Sequence, residues 1–229
     1  MILEFAGLPG AGKSTLCCHV ARELAERRVQ GFLGEAEALR ASRAGELESR
    51  LRLLRSFVRI GRSRPATYRS WRRYARRYAR ISPLYDCCLA GTLCLLDDGM
   101  FQLMVGLCVN SRFDIADAYH LLLGHAACPI LVVIVNAPAE VVEVRKRRRG
   151  RHDDHLQFTV RELAVVRDLK QTLPELAERE AHLSLLLVDA DSDEAMERAV
   201  ELVTSRVLHQ LAHSAAATRP AVTWIRQAP

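Results

Sequence analysis

Gly7-Leu8-Pro9-Gly10-Ala11-Gly12-Lys13-Ser14-Thr15 is the stretch whose reading decides the fold of this chain. It fits G-x-x-x-x-G-K-[ST], with Gly7, Gly12, Lys13 and Ser14 in the four fixed places, and its flanks agree: Ile2 to Phe5 reads as a short apolar strand, and Leu16 to Arg27 has helical spacing. Glycines at 7, 10 and 12 let the backbone wrap so closely that its N–H groups point inward. The helix that follows adds unpaired donors and the positive end of its dipole. The product is a cup for phosphate. Backbone and side-chain contacts are expected from Gly7, Pro9, Gly10, Ala11, Gly12, Lys13, Ser14 and Thr15, with Lys13 reaching the β- and γ-phosphates of ATP and the Ser14 hydroxyl holding Mg²⁺.

The remainder of the chain supplies what such a loop requires. Thr92 to Leu96 reads as a buried strand that stops at Asp97-Asp98-Gly99, which puts carboxylates at a strand's C-terminal edge beside the cup; Asp97 is the expected second Mg²⁺ ligand. Val29 to Leu33, Ile130 to Val135 and Leu183 to Val188 are further strand candidates, separated by helical stretches at 100–109, 114–127, from Pro138 onward, 158–180 and 193–210. Strands alternating with helices predict an α/β fold, a three-layer, doubly wound parallel sheet of the P-loop NTPase kind. A helical insertion is expected over about 35–90, a single domain over 1–213, and an irregular tail over 214–229.

Composition narrows the classes. The chain has 229 residues, 49% of them hydrophobic, which suffices for one substantial core. No apolar run approaches the length of a membrane span, and the first strand begins at Ile2, so a cytoplasmic protein is expected. Seven cysteines in no metal-binding spacing read as reduced, mostly buried small hydrophobes. The net charge of +6 is local: twelve arginines and no acid lie between Ser49 and Tyr85, and without them the chain would carry −6. Leu47, Leu51, Leu54 and Val58 form one stripe in this segment, and Tyr68, Trp71, Tyr74 and Tyr78 another, so it reads as two helices.

The order of these features resembles the nucleoside monophosphate kinase group, and within it the thymidylate-kinase-like proteins, over about residues 1–210. The resemblance rests on the P-loop, the insertion, the Asp97-Asp98-Gly99 strand end, the strand Ile130 to Asn136 and the Arg145-Lys146-Arg147-Arg148-Arg149 segment. It implies that about 145–156 is a lid closing over ATP, with Arg145, Arg148 and Arg149 sharing a helical face and neutralising the transferring phosphoryl group. The same cations could also merely offset a helix dipole. Thymidylate kinases usually carry Asp-Arg where this chain has Asp97-Asp98. That departure weakens a nucleotide acceptor and suits one whose hydroxyl Asp98 would deprotonate.

The function read from the sequence is therefore ATP-dependent phosphoryl transfer, with Lys13, Asp97, Asp98, Arg145, Arg148 and Arg149 as the working residues. The acceptor is a small molecule, anionic if the arginine block faces it, and is modified on a hydroxyl or phosphate group. The alternative is a regulatory or nucleic-acid-linked P-loop NTPase that uses the block to bind a polyanion; a homodimer is compatible with either. A guanine-binding Asn-Lys-x-Asp is missing after Ile130 to Val135, and the Leu-Ser-Gly-Gly-Gln of transporter ATPases is absent. His152-Asp153-Asp154-His155 has ligand-type residues within the expected lid, and no structural metal is assigned to it.

Overall fold

A computed structural model describes residues 1–29, 32–33, 68–86, 92–111, 113–124, 126, 128–148 and 156–217. Its strands are β1 (Ile2–Gly7), β2 (Phe32–Leu33), β3 (Leu93–Leu96), β4 (Ile130–Asn136) and β5 (Leu183–Asp189). Its helices are α1 (Lys13–Glu26), α2 (Tyr68–Asp86), α3 (Met100–Ser111), α4 (Ile115–Leu122), α5 (Ala139–Arg148), α6 (Leu156–Arg179) and α7 (Asp193–Ala217). No described helix is long and apolar enough to cross a membrane.

The five strands form one parallel sheet in the order β2-β3-β1-β4-β5. Every residue of β1 is buried, as a strand sandwiched between helical layers must be. Helices α1 and α7 pack together on one side; α3, α4 and α6 pack together on the other, with α2 against α3. Leu16, Val20 and Leu24 recur every fourth residue on α1 and are fully buried, each contributing roughly 1.5–3 kcal/mol. The chain leaves β1 for one side of the sheet and later β3 for the other, so the crevice between β1 and β3 is the topological switch point. Ligands in open α/β sheets bind outside such crevices, at the carboxyl ends of the strands. The P-loop follows β1 there, and Asp97-Asp98-Gly99 follows β3.

Several boundaries differ from those read in the sequence. Helix α4 stops at Leu122 rather than near 127, because Gly124 turns the chain back so tightly that a Cβ on it would lie 2.6 Å from the His120 carbonyl oxygen. Asp114 caps α4 as its placement suggested, accepting from Ala116 N at 2.7 Å. Helix α7 passes Gln210 and reaches Ala217, through a run rich in alanine, a strong helix former. The first arm of the expected helical insertion, with the Leu47 to Val58 stripe, lies outside the described residues. The second arm is α2, where Tyr78, Ile81 and Tyr85 are buried and Arg76 and Arg80 are exposed.

Candidate active site

Backbone geometry makes the cup. Gly7, Gly10 and Gly12 have φ of 144°, 96° and 106°, a region that L side chains rarely adopt. At Gly7 space forbids a side chain as well, since a Cβ would stand 2.5 Å from the Val135 carbonyl oxygen on the neighbouring strand. Gly12, left-handed, is the N-cap of α1, so the first turn of that helix opens onto the cup. Lys13 folds over the loop and donates from Nζ to the carbonyl oxygens of Gly7 and Leu8, each at 3.0 Å. Ser14 and Thr15 are exposed.

Helix α5 closes one side of the loop. Its first hydrogen bond runs from Val142 N to Pro138 O at 3.0 Å, so Pro138 stands at the helix entrance as its fixed φ favours. Arg145 donates from Nη1 to the Ala11 carbonyl oxygen at 3.1 Å, and Val142 and Lys146 crowd Gly10. Lys146 in turn pairs with Glu162 of α6 at 3.1 Å, with both side chains largely buried. Arg145 and Arg148 thereby reach a cavity of about 830 Å³, whose wall also includes Gly12, Thr15, Ser192 and Met196. The loop entering α7 is held by Ala190 N, which donates to Asn136 O at 2.9 Å, while Asn136 Nδ2 donates to Asp189 at 2.7 Å. Arg149 and the His152 to His155 cluster lie outside the described residues.

The carboxylate turn is built differently. Gly99 is the N-cap of α3 and offers no side chain to the helix's free N–H groups; distant residues satisfy them instead. Met100 N donates to the Tyr85 hydroxyl at 3.1 Å, while Phe101 N and Gln102 N donate to Glu4 Oε1 at 2.6 and 3.1 Å. Tyr85 then donates its own proton to Glu4 Oε2 at 2.5 Å. Only glycine fits at 99, because a Cβ would lie 2.5 Å from Glu4 Cδ and 2.7 Å from the Tyr85 oxygen. Arg77, one of the twelve block arginines, ion-pairs with Asp98 Oδ2 and also donates to the Asp98 carbonyl oxygen. One block arginine is thus compensated from outside the segment, as its lack of acids required.

Glu4 sits in the middle of the central strand with 0% of its surface exposed. Burial pushes its carboxyl up to about 7, against the hydrogen bonds from Tyr85, Gln102 and Phe101, and the nearby Asp98 charge adds a little more. Tyr85 is pushed up as well, by burial and then by Glu4. Asp98 Oδ1 and Gln102 Oε1 are buried acceptors with no hydrogen-bond partner among the described residues.

The structure therefore brings Gly12 and Thr15 of the loop together with Arg145 and Arg148 at one cavity, ties Arg145 to Ala11, and sets Asp97 and Asp98 at the neighbouring strand end. Glu4, Tyr85 and Arg77 are the site-shaping residues that sequence reasoning passed over. The signal for Glu4 was present, namely a lone acid inside a strand destined for burial on both faces. Nothing in the spacing told Tyr85 from the other tyrosines of α2.

No protein-family model matches the chain, and no curated protein matches it significantly. Solved structures do. Deoxyadenosine kinase from M. mycoides with bound dCTP aligns over 91% of this chain and 100% of its own, with a TM-score of 0.53 and 14% identity. Thymidylate kinase from Candida albicans aligns over 93% of this chain and 91% of its own, with a TM-score of 0.50 and 11% identity. The fold is thus the α/β P-loop fold that these kinases share.

Proposed function

We propose that the chain is a P-loop kinase that transfers the γ-phosphoryl group of Mg-ATP to a small-molecule acceptor. The observation that carries this reading is that Gly12 and Thr15 of the glycine loop line one cavity of about 830 Å³ together with Arg145 and Arg148. An inward-facing backbone, Lys13 and two guanidinium groups are what charge neutralisation during phosphoryl transfer requires. The kinase fold of the structural neighbours supports it.

ATP and Mg²⁺ fit the residues present. The cup and Lys13 would hold the phosphates, and the cavity beside Gly12 and Thr15 would take the remainder of the nucleotide. The exposed Ser14 hydroxyl and the Asp97 carboxylate are hard oxygen donors of the kind magnesium takes. When bound, the metal supplies charge neutralisation at the phosphate oxygens. In β3 the face alternates along the strand, with Leu96 at the register of Glu4 on the α3 side. Continued, that alternation assigns Asp98 to the α2–α3 side, where Arg77 meets it, and Asp97 to the side of α1.

The acceptor is accordingly assigned to the α2–α3 side, beside Asp98 and Gln102. Two buried acceptor atoms there, without partners among the described residues, ask for donors from a ligand. A hydroxyl brings one and a phosphate dianion does not, which favours phosphorylation of a hydroxyl with Asp98 as general base. The test is a panel of nucleosides, nucleotides, sugars, amino alcohols and antibiotics, scored for ADP release that depends on the added compound. Acceptor-dependent release is expected for a hydroxyl compound; release that responds only to RNA or DNA would replace this reading with a nucleic-acid-linked NTPase.

A further inference from the structure

Three free N–H groups at the start of α3 are all satisfied by side chains far away in sequence, two by Glu4 from β1 and one by Tyr85 from α2. Ordinary helices solve this with a capping side chain of their own. Here the cap residue is Gly99, and its hydrogen faces Glu4 and Tyr85 at a distance that excludes any larger group. Asp98 immediately precedes this glycine, and α2 grips it a second time through Arg77.

We propose that Glu4, acting with Tyr85, is the positioning residue of the carboxylate turn, holding the first turn of α3 against the P-loop strand and thereby fixing Asp98 on the acceptor side. The inference rests on the reading of Asp98 given under Proposed function. The arrangement is expensive for a purely structural purpose. A carboxyl group with no exposed surface incurs a desolvation cost that an apolar residue in the same strand would avoid, and a side-chain cap at 99 would satisfy part of the same helix end locally. What a remote carboxylate adds is a link between the strand that leads into the P-loop and the turn that carries Asp98.

Among the described residues, the ionisable groups that face Glu4 are Tyr85 from α2, Asp98 from the turn and, on Asp98, Arg77. β3 and β4 present Leu96 and Val132 at its level, and α3 presents backbone amides. The observed donors all point at Glu4, so they belong to its ionised form. Protonation removes the charge that Phe101 N and Gln102 N point to, and the grip loosens.

The experiment compares the unmodified protein with Glu4→Gln and Tyr85→Phe. Backbone amide resonances of Asp98, Phe101 and Gln102 are followed by nitrogen-edited NMR between pH 5.5 and 8.5. In the unmodified protein all three should shift together with a midpoint near 7. The transition should vanish in Glu4→Gln and move to higher pH in Tyr85→Phe, where the ionised carboxyl loses a donor. In parallel, basal ADP release from Mg-ATP should fall about tenfold in kcat in Glu4→Gln, with KM for ATP within about twofold. An Asp98 amide that stays still while Phe101 and Gln102 shift, or that titrates unchanged in a folded Glu4→Gln, overturns the proposal. If Glu4→Gln does not fold, an unmoved midpoint in Tyr85→Phe overturns it equally. If the unmodified protein releases no ADP with any acceptor tried, the kinase reading fails while the amide titration still decides whether Glu4 positions the turn.

Discussion

The two strand ends that meet at the switch point are held by opposite means. The loop after β1 is shaped by its own backbone: three glycines in left-handed or near-extended positive-φ geometry, a lysine folded onto carbonyl oxygens five and six residues away, and a helix starting at Gly12. The turn after β3 has almost no local support, and is held by Glu4, Tyr85 and Arg77 from 15 to 98 positions away. A backbone-made site keeps its form wherever the strand and helix flanking it are present. A side-chain-made turn depends on the whole sheet and on α2 being in place, and can be altered by one proton on one carboxyl group.

The comparison breaks most sharply at Lys13. Lys13→Ala removes the cation that the loop itself carries and leaves its backbone alone, so ATP turnover should fall by roughly 10²–10³-fold, the scale for losing one charged stabiliser of a transition state. The thermal midpoint should move by only a few degrees. Near-normal turnover in this variant would remove the P-loop from the mechanism.

Next in size is the pH dependence of stability that Glu4 introduces. Its folded value of about 7 lies above the ordinary 4.5, so between those values the folded protein binds a proton that the unfolded chain has released. Its contribution is therefore greatest below about pH 4.5, declines as pH rises to about 7, and is flat beyond. The full swing is on the order of 3 kcal/mol. Denaturant unfolding at a series of pH values should show this decline in the unmodified protein and a shallower one in Glu4→Gln; parallel curves would mean that Glu4 is charged or neutral throughout. No comparable slope is expected from the cup.

The smallest effect sharpens the division between the two carboxylates. Asp97→Asn should raise the Mg²⁺ requirement for ATP binding, whereas Asp98→Asn should lower kcat about tenfold with ATP affinity little changed. Asp98→Asn also loses its ion pair with Arg77, but that pair is partly exposed, 32% and 41% on its two side chains, and contributes under about 1 kcal/mol to stability. Steady-state kinetics at several Mg²⁺ concentrations separate the two; identical mild effects would show that neither has its assigned role.

What was legible in the sequence follows the same division. Gly7 to Thr15 could be read because its chemistry is local, each residue's part being set by neighbours within nine positions. The parallel sheet was legible from Thr92 to Leu96 and Ile130 to Val135, apolar runs that read as buried strands, and from Leu183 to Val188, which forms the sheet edge and leaves Leu187 exposed. Glu4 was absorbed into the apolar run Ile2 to Phe5, because its partners lie 81 to 98 residues away and no local pattern announces them. Arg77 was one of twelve arginines, distinguished from Arg76 only by the face of α2 on which it falls. Arg145 and Arg148 were singled out by the resemblance of their segment to a kinase lid, yet the contact of Arg145 with Ala11 comes from the crossing of α5 over the loop, which that resemblance alone does not give.

Strand order also governs when the protein can assemble during synthesis. β1 precedes both of its neighbours by a long stretch of chain: the Met1 amino group bonds Thr92 O, and Ile2 stands opposite Cys94 and Ile130. Pairing of such widely separated segments is slow, and unpaired apolar strands are prone to aggregate. During synthesis β1 therefore stays unpaired until β3 has been made, and lacks its second neighbour until β4 follows. A chain ending before Ile130 would contain the complete P-loop sequence and the β1–β3 pairing, but not β4, whose Val135 carbonyl oxygen packs against Gly7.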